Sequence, residues 1–459
     1  MADLEAQVAD LRAGETPLVE FSFRVNAIGL LLVSAGLLRL LFAFLPGFAV
    51  DIGVFRFWSA QLAERGPWDF YNRDFFVDYA PGYMYPLLLI GKLRQWLGLS
   101  DGQMEYVLKL PSIAADLASA YLLYRFLDGQ RLEVRLAASA LYLVFPAALL
   151  VGAIWGQVDS LLAFFLLLAV YYISRDRPLA GAAAFTAGFL VKPQAIAALP
   201  FLTLWIMRHH PPQWRQTNFG LRLPIPPKVW YQCAAVGFVT LLLLIIPFFT
   251  YKPWELIPQL YDATNVENYR ANSFWAYNFW NLGGLFDMGF KPDVPGIKPG
   301  EGEWMGISHR LWGVLVFVTA ISLILLATRR SKGTGMLALG TALSILAFYL
   351  FLTRMHERYI LAFVLPFLAA CVLLESRLLW SSFVVLGLVH FFNLYHVYAY
   401  YNKNELRVEA FYKWFEKGNL LGTGLETVQV LSIVMVAAFP LLLSAAYLLS
   451  LRSKQGRAA

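Results

Sequence analysis

Apolar runs of roughly 17–24 residues recur along the whole chain, each close to the length that crosses the hydrocarbon core of a bilayer. The pattern predicts spans at 24–46, 104–126, 132–152, 159–174, 178–191, 194–208, 229–250, 309–328, 334–353, 359–375, 379–399 and 427–451, about twelve in all. The runs over 178–208 are the shortest, and Pro193 interrupts them. Two short spans, or one broken helix with a re-entrant segment, both fit that break. Between Leu87 and Leu99 the chain becomes apolar again while carrying Lys92 and Arg94, which reads as an interfacial helix resting on the outer leaflet. The expected fold is all-α, polytopic and transmembrane.

Three polar stretches interrupt this pattern: 47–103, 251–308 and 400–426. The first holds Asp51, Glu64, Asp69, Asp74 and Asp78 among aromatic rings between residues 51 and 85. A connector of about 35 residues is far longer than a turn between helices needs, and long connectors tend to be functional. The second carries Trp254, Trp275, Trp280 and Trp304, a residue type that suits the lipid headgroup level. The third mixes tyrosines with charge. No internal repeat or low-complexity tract is visible. The organisation expected is a segment 1–23, a transmembrane module 24–375 with outer loops 47–103 and 251–308, and a C-terminal transmembrane region 376–459 with outer loop 400–426.

Composition agrees with a membrane chain. Of 459 residues, 59% are hydrophobic and 15% charged, with a mean hydropathy of +0.57, whereas soluble proteins carry about 25% charged residues. Residues 1–23 hold Asp3, Glu5, Asp10, Arg12, Glu15 and Glu20, unlike the cationic start of a cleaved signal, so the first helix reads as an uncleaved anchor. Leu4, Val8 and Leu11 share one helical face, which suits a segment lying on the membrane surface; a solvated tail suits the charges equally. Arg125, Arg131, Arg135, Arg175, Arg177, Arg208, Arg329, Arg330, Lys332 and Arg377 gather in alternate short connectors. The positive-inside rule then puts both termini in the cytoplasm. Net charge +7 reflects this topology first, and no nucleic-acid partner is implied. Cys233 and Cys371 lie in different runs without metal-like spacing and read as small core residues.

On this topology every cluster that could carry chemistry falls on the extracytoplasmic side. Asp51 follows the first span, where a carboxylate could take a proton from an acceptor hydroxyl; the plainer role is an N-cap for residues 52–64. Asp78-Tyr79-Ala80-Pro81-Gly82 is an acid followed by a turn. Trp155-Gly156-Gln157-Val158-Asp159-Ser160 is a tight turn with an indole, an amide and a second carboxylate; its plainer role is a capped helix start. Lys192-Pro193-Gln194 sets a cation at a helix break, which is costly unless paired or facing a polar cavity. Arg354-Met355-His356-Glu357-Arg358-Tyr359 suits a phosphate, because guanidinium forks match its oxygens. Arg39 and Asp116 lie within spans, so each is expected to be paired or water-facing.

The set Asp51, DYAPGYMY (78–85), KLPSIAADL (109–117), WGQVDS (155–160), KPQ (192–194) and MHERY (355–359) resembles the GT-C superfamily of polytopic glycosyltransferases. The nearest pattern is that of prokaryotic relatives of the glycosylphosphatidylinositol mannosyltransferases. The resemblance runs over about 50–360, with motifs in the same order. A more distant likeness is to the dolichyl-phosphate-glucose glucosyltransferases; Ala80 stands where their acid-Tyr-Pro-Pro segment has its first proline, and Arg358 where their late motif has a lysine. It implies inverting hexose transfer, mannose favoured over glucose, from a polyprenyl-phosphate sugar to a glycolipid or lipid-linked glycan among membrane lipids, with no metal or other cofactor. Asp51 takes the position of the catalytic acid in the first loop. Asp78, Tyr79, Trp155, Gln157 and Asp159 would bind or orient sugar and acceptor, and Lys192, Arg354, His356 and Arg358 would hold the donor phosphate. The alternative is a lipid or sugar transporter or flippase, which would favour short loops, internal repeats and a midplane polar site.

Overall fold

The computed structural model describes residues 27–68, 70–72, 75–216, 222–249, 253–255, 258, 271–286, 297–299, 302–403, 406–416 and 422–455. The segment 1–23 with its face of Leu4, Val8 and Leu11, the acids Asp69 and Asp74, and the parts 259–270 and 287–296 of the 251–308 loop lie outside them.

The described chain is almost wholly helical. Six helices are long and apolar enough to cross a membrane: Asp101–Phe126, Lys228–Phe248, His309–Thr328, Thr334–Phe351, Arg377–Tyr401 and Thr427–Arg452. A seventh span forms if Leu132–Leu143 and Pro146–Trp155, bent by 46° at their junction, are taken together. Four shorter apolar helices, Ala27–Phe42, Asp159–Ser174, Pro178–Val191 and Leu361–Leu374, accompany them. In chain order the helices are α1 (Ala27–Phe42), α2 (Ala49–Arg65), α3 (Pro81–Leu97), α4 (Asp101–Phe126), α5 (Leu132–Leu143), α6 (Pro146–Trp155), α7 (Asp159–Ser174), α8 (Pro178–Val191) and α9 (Leu199–His209). They continue as α10 (Lys228–Ile245), α11 (His309–Thr328), α12 (Thr334–Phe351), α13 (Leu361–Leu374), α14 (Arg377–Tyr401), α15 (Glu409–Phe415) and α16 (Thr427–Gln455).

Local chemistry explains the boundaries that matter. The stretch after α1 is not an open loop: α2 buries Ile52, Phe55, Trp58, Ser59, Leu62 and Ala63 against α3, a helical spacing hidden among charges. Pro81 starts α3 where a missing N–H costs nothing, so that helix begins six residues earlier than the apolar run at Leu87. Ser100 and Gln103 form a capping box that starts α4. The second half of α6, Leu149–Trp155, is a π-helix, a form that often marks functional sites. The break after α8 is real: Lys192 is extended, and Pro193–Ala198 is a short 3-10 turn before α9.

α12 and α13 form the centre of the bundle, and one continuous core reaches from Ala35 to Ala446. α10 stands at the periphery, packed mainly on α8. Strand content is slight: β1 (Gln213–Gln216) pairs with β2 (Arg222–Ile225), and β5 (Glu303–Trp304) with β6 (Ile307–Ser308). β3 (Ala271–Phe274) lies between β4 (Ile297–Pro299), antiparallel, and β7 (Met355–His356), parallel. Of the tryptophans expected at the headgroup level, Trp254 and Trp304 are exposed, but Trp275 and Trp280 are buried. Their indole N–H groups meet Tyr401 Oη and the Phe351 carbonyl, so they belong to the packed interior. Cys371 is buried as expected, whereas Cys233 is half-exposed on α10.

Candidate functional site

The ends of α8 and α12 and the starts of α2, α3 and α13 meet at one end of the bundle, around a cavity of about 440 Å³. The opposite end is tied by its basic connectors: Arg175 donates to the Arg125 carbonyl at 3.1 Å, Arg135 lies 3.4 Å from Asp128, and Arg208 donates to the Thr328 carbonyl at 3.2 Å. The charge-lined cavity and these basic connectors thus lie at opposite ends of the helices.

Asp51, Asp78, Tyr79, Lys192, Arg354, His356 and Arg358 all line the cavity. Trp155, Gln157 and Asp159 do not. They stand one layer behind, essentially fully buried, and each holds a residue that lines it. Trp155 Nε1 donates to Asp51 Oδ2 at 2.7 Å, with its ring stacked on Phe48 at 4.4 Å. Gln157 Oε1 accepts from Tyr79 Oη at 3.1 Å, from the Val158 N–H at 3.1 Å and from Lys192 Nζ at 3.4 Å. Asp159 Oδ2 accepts from Lys192 Nζ at 2.8 Å and lies 3.8 Å from Arg358 Nε.

Asp51 is not a helix cap. It sits in the first turn of α2, whose N-cap position is Phe48, and its carboxylate is taken by the indole instead. Asp159 makes no side-chain cap on α7 either. Gly156 has φ of 87°, in the left-handed region that glycine enters without a Cβ penalty, and this lets the chain turn between Trp155 and Gln157. Gly82 is needed for a different reason. A Cβ there would lie 2.5–2.6 Å from the backbone of Leu190 and Val191, so the turn after Asp78 rides directly on the residues that present Lys192.

The late motif is positioned by a strand contact. Phe274 pairs with His356 across β3 and β7, their rings stack at 5.0 Å and 13°, and the Arg354 N–H donates to the Asn272 carbonyl at 3.0 Å. Arg354 adopts φ of 65°, an uncommon conformation for a non-glycine residue and one that clusters at functional sites. Arg358 donates to Glu357 Oε1 at 2.9 Å and approaches His356 Nδ1 at 3.5 Å. Lys192 Nζ lies 5.3 Å from the ring centres of both Tyr79 and Tyr359, a range in which an ammonium is attracted to an aromatic face.

Electrostatics follow from burial. Desolvation, then the Arg358 and Lys192 charges, hold the His356 imidazole well below its ordinary range. It therefore supplies a neutral hydrogen-bonding ring and not a cation. Burial also lowers Lys192, with Asp159 opposing, and raises the Glu357 carboxyl, with Arg358 opposing. Burial alone would depress Arg358, but the carboxylates of Asp51 and Glu357 outweigh it and hold the guanidinium above its ordinary value. Tyr79 and Tyr359 are pushed up by burial and stay protonated.

Sequence reasoning passed over Glu357, although it stands inside the quoted motif as an acid between two bases. It also missed Gln194, Phe274, Trp275 and Tyr401, which complete the wall. For Phe274 and Trp275 no local signal existed, since they come from a stretch without periodicity. Among the described residues no group of three or more His, Cys, Asp or Glu side chains is placed to hold a metal ion.

Fold and site together define an α-helical membrane protein with a charge-paired cavity at one end of its bundle. No family model matches the chain, and no curated protein matches it.

Proposed function

We propose that this cavity transfers a hexose, mannose in preference to glucose, from a polyprenyl-phosphate donor to a hydroxyl of a glycolipid or lipid-linked glycan on the extracytoplasmic face. Asp51 is the general base. Its carboxylate takes the proton of the acceptor hydroxyl as that oxygen attacks the anomeric carbon from the face opposite the phosphate. The anomeric C–O bond breaks, its electron pair passes to the phosphate oxygen, and the anomeric configuration inverts. The departing polyprenyl phosphate gains a negative charge, which preorganised cations in a water-poor site stabilise. Lys192, Arg354 and Arg358 supply that charge and His356 a neutral hydrogen bond. The proton on Asp51 then returns to water.

The single observation that carries this reading is convergence. A carboxylate from just after the first helix and cations from helix boundaries 141 to 307 residues later line one cavity, at the end of an apolar bundle where a lipid-borne substrate would arrive sideways. Two features add support. Lys192 and Arg358 are already held by Asp159 and Glu357, so the phosphate site is built before substrate arrives. An apolar groove of about 510 Å³ between α8, α9 and α10 reaches Ile196, two residues beyond the cavity-lining Gln194, and suits an isoprenoid chain.

The test is product analysis by mass spectrometry, with purified protein offered several polyprenyl-phosphate hexoses and total membrane lipid. Wild-type protein forms a new glycoside, and Asp51→Asn folds normally but forms none. Full turnover in that variant removes Asp51 from the role. Movement of substrate across vesicles with no new glycosidic bond replaces this reading with transport.

A further inference from the structure

α4 carries Glu105, Lys109, Ser112 and Asp116, spaced by four, three and four residues, so they share one helical face. Lys109, Ser112 and Asp116 are fully buried, and none of the four lines the cavity. Polar groups inside an apolar span are expensive and are retained where they are partnered. Each is partnered outside α4: Glu105 and Lys109 by the segment 43–47, Ser112 by Gln157, and Asp116 by α1 and α5.

Lys109 Nζ donates to the Ala43 carbonyl at 2.9 Å and the Leu45 carbonyl at 2.6 Å. These follow the C-terminal end of α1, where helix carbonyls lack partners and a cation is favoured. Glu105 Oε1 accepts the Gly47 N–H at 2.5 Å and lies 3.4 Å from Lys109 Nζ. Ser112 Oγ donates to the Gln157 carbonyl at 2.5 Å. Asp116 accepts from Tyr142 Oη at 2.8 Å and from Arg39 Nε at 3.3 Å, which ties α4 to α5 and α1.

The Lys109 stem also touches two turns at once. A Cβ on Gly47 would lie 3.2 Å from its Cε, and a Cβ on Gly156 would lie 3.2 Å from its Cγ. Gly47 leads into Asp51 and Gly156 follows Trp155. These are the residues that meet through the 2.7 Å indole–carboxylate bond although they are 104 positions apart. The other side of the same segment is pinned by α14 and the residue after it: Tyr398 Oη donates to the Pro46 carbonyl at 2.5 Å and Asn402 Nδ2 to the Gly47 carbonyl at 2.9 Å.

We propose that the polar face of α4 is the frame that sets the Asp51–Trp155 contact, with Lys109 as its central positioning residue. The proposal rests on the glycosyl-transfer reading only for its kinetic consequence. Lys109 touches no substrate, so its loss leaves donor binding intact while the base drifts from its place. Displacements near 1 Å cost on the order of a hundredfold in rate.

The experiment pairs kinetics with a geometric readout. Protein labelled with 5-fluorotryptophan gives a 19F spectrum in which the Trp155 resonance is identified by its absence in Trp155→Phe. Asp51→Asn moves that resonance, and Lys109→Gln moves it as well. The Lys109→Gln variant lowers kcat about ten- to a hundredfold while the donor KM stays within about twofold. If Lys109→Gln does not fold, Ser112→Ala, which removes one hydroxyl, moves the same resonance and lowers kcat several-fold. An unmoved Trp155 resonance with unchanged kcat in whichever variant folds overturns the proposal and leaves Lys109 a helix cap. If wild-type protein transfers no sugar, the transfer reading fails alone, because the resonance still decides whether α4 sets the contact.

Discussion

Asp159→Asn tests the ion pair at the centre of the site. Lys192 and Asp159 lie 2.8 Å apart, with side chains 4% and 2% exposed, and the substitution removes charge without leaving a hole. Breaking a buried pair from one side costs about 3–5 kcal/mol, because the remaining charge is stranded. Here the stranded ammonium keeps Gln157 Oε1 at 3.4 Å, two aromatic faces and the weaker attraction of Asp51, while Arg358 repels it. It has one escape, which is to lose its proton. Relative to an ordinary lysine at 10.5, deprotonation at pH 7 costs 3.5 pH units at 1.36 kcal/mol each, about 4.8 kcal/mol. That figure is a ceiling on the charge penalty, and at pH 9 it falls to about 2 kcal/mol.

The sign is fixed by proton counting. A lysine whose folded-state pKa is lowered is protonated more in the unfolded chain than in the folded one, so stability rises with pH between the two values. Asp159→Asn should therefore lose about 3–5 kcal/mol at pH 7 and recover much of it by pH 9. Lys192→Met should lose less, since Asp159 keeps Arg358 at 3.8 Å. The double variant should stand close to Lys192→Met alone, because no charge is then stranded. The assay is SDS-driven unfolding in mixed micelles, read at both pH values. A deficit equal at pH 7 and pH 9, or additive losses in the double variant, would refute the argument.

Two further outcomes are expected. Because burial and neighbouring cations hold His356 well below 6.5, the unfolded chain takes up a proton that the folded one refuses. Wild-type stability should then fall as pH drops below about 6.5, by up to about 1.36 kcal/mol per pH unit; His356→Gln should lack that component in the same unfolding assay. Gly152→Ala should destabilise by about 1–3 kcal/mol, because its Cβ would lie 2.6 Å from Asp116 Oδ2 and 3.1 Å from Ser160 Oγ. An unchanged unfolding midpoint would mean that α6 yields easily at that point.

How much of this was readable from residues depended on the range of the interactions. Apolar runs located α4, α7, α8, α11, α12, α13 and α14 to within a few residues, because a long buried helix must be apolar along its own length. α2 was legible only as the helix 52–64 that Asp51 would cap, and not as a buried one, because Arg56, Glu64 and Arg65 mask the face of Ile52, Phe55 and Leu62 that it buries. The charged residues that line the cavity, Glu357 apart, were legible because each is a charge at a helix boundary, where it is out of place unless it does something. Their order in depth was not. Asp51 and Trp155 were both named, yet nothing along the chain says that one faces the cavity and the other holds it from behind. Arg39 and Asp116 were each expected to need a partner; that they are each other's, 77 positions apart, is a property of the packed bundle.

The same limit explains where sequence and structure part over the cations. Read along the chain, Lys192, Arg354, His356 and Arg358 look like four positive charges awaiting a phosphate. In the fold Lys192 and Arg358 are already engaged by Asp159 and Glu357, and His356 is neutral. The cavity is therefore close to charge balance before any ligand enters. An anion that binds there must share cations with resident carboxylates, so its affinity is modest while its charge is single. A leaving group that gains charge during reaction competes better for the same guanidinium and ammonium than its precursor did. On the proposed transfer, stabilisation would then grow along the reaction coordinate, and such differential binding, unlike tight binding of the substrate, lowers the barrier.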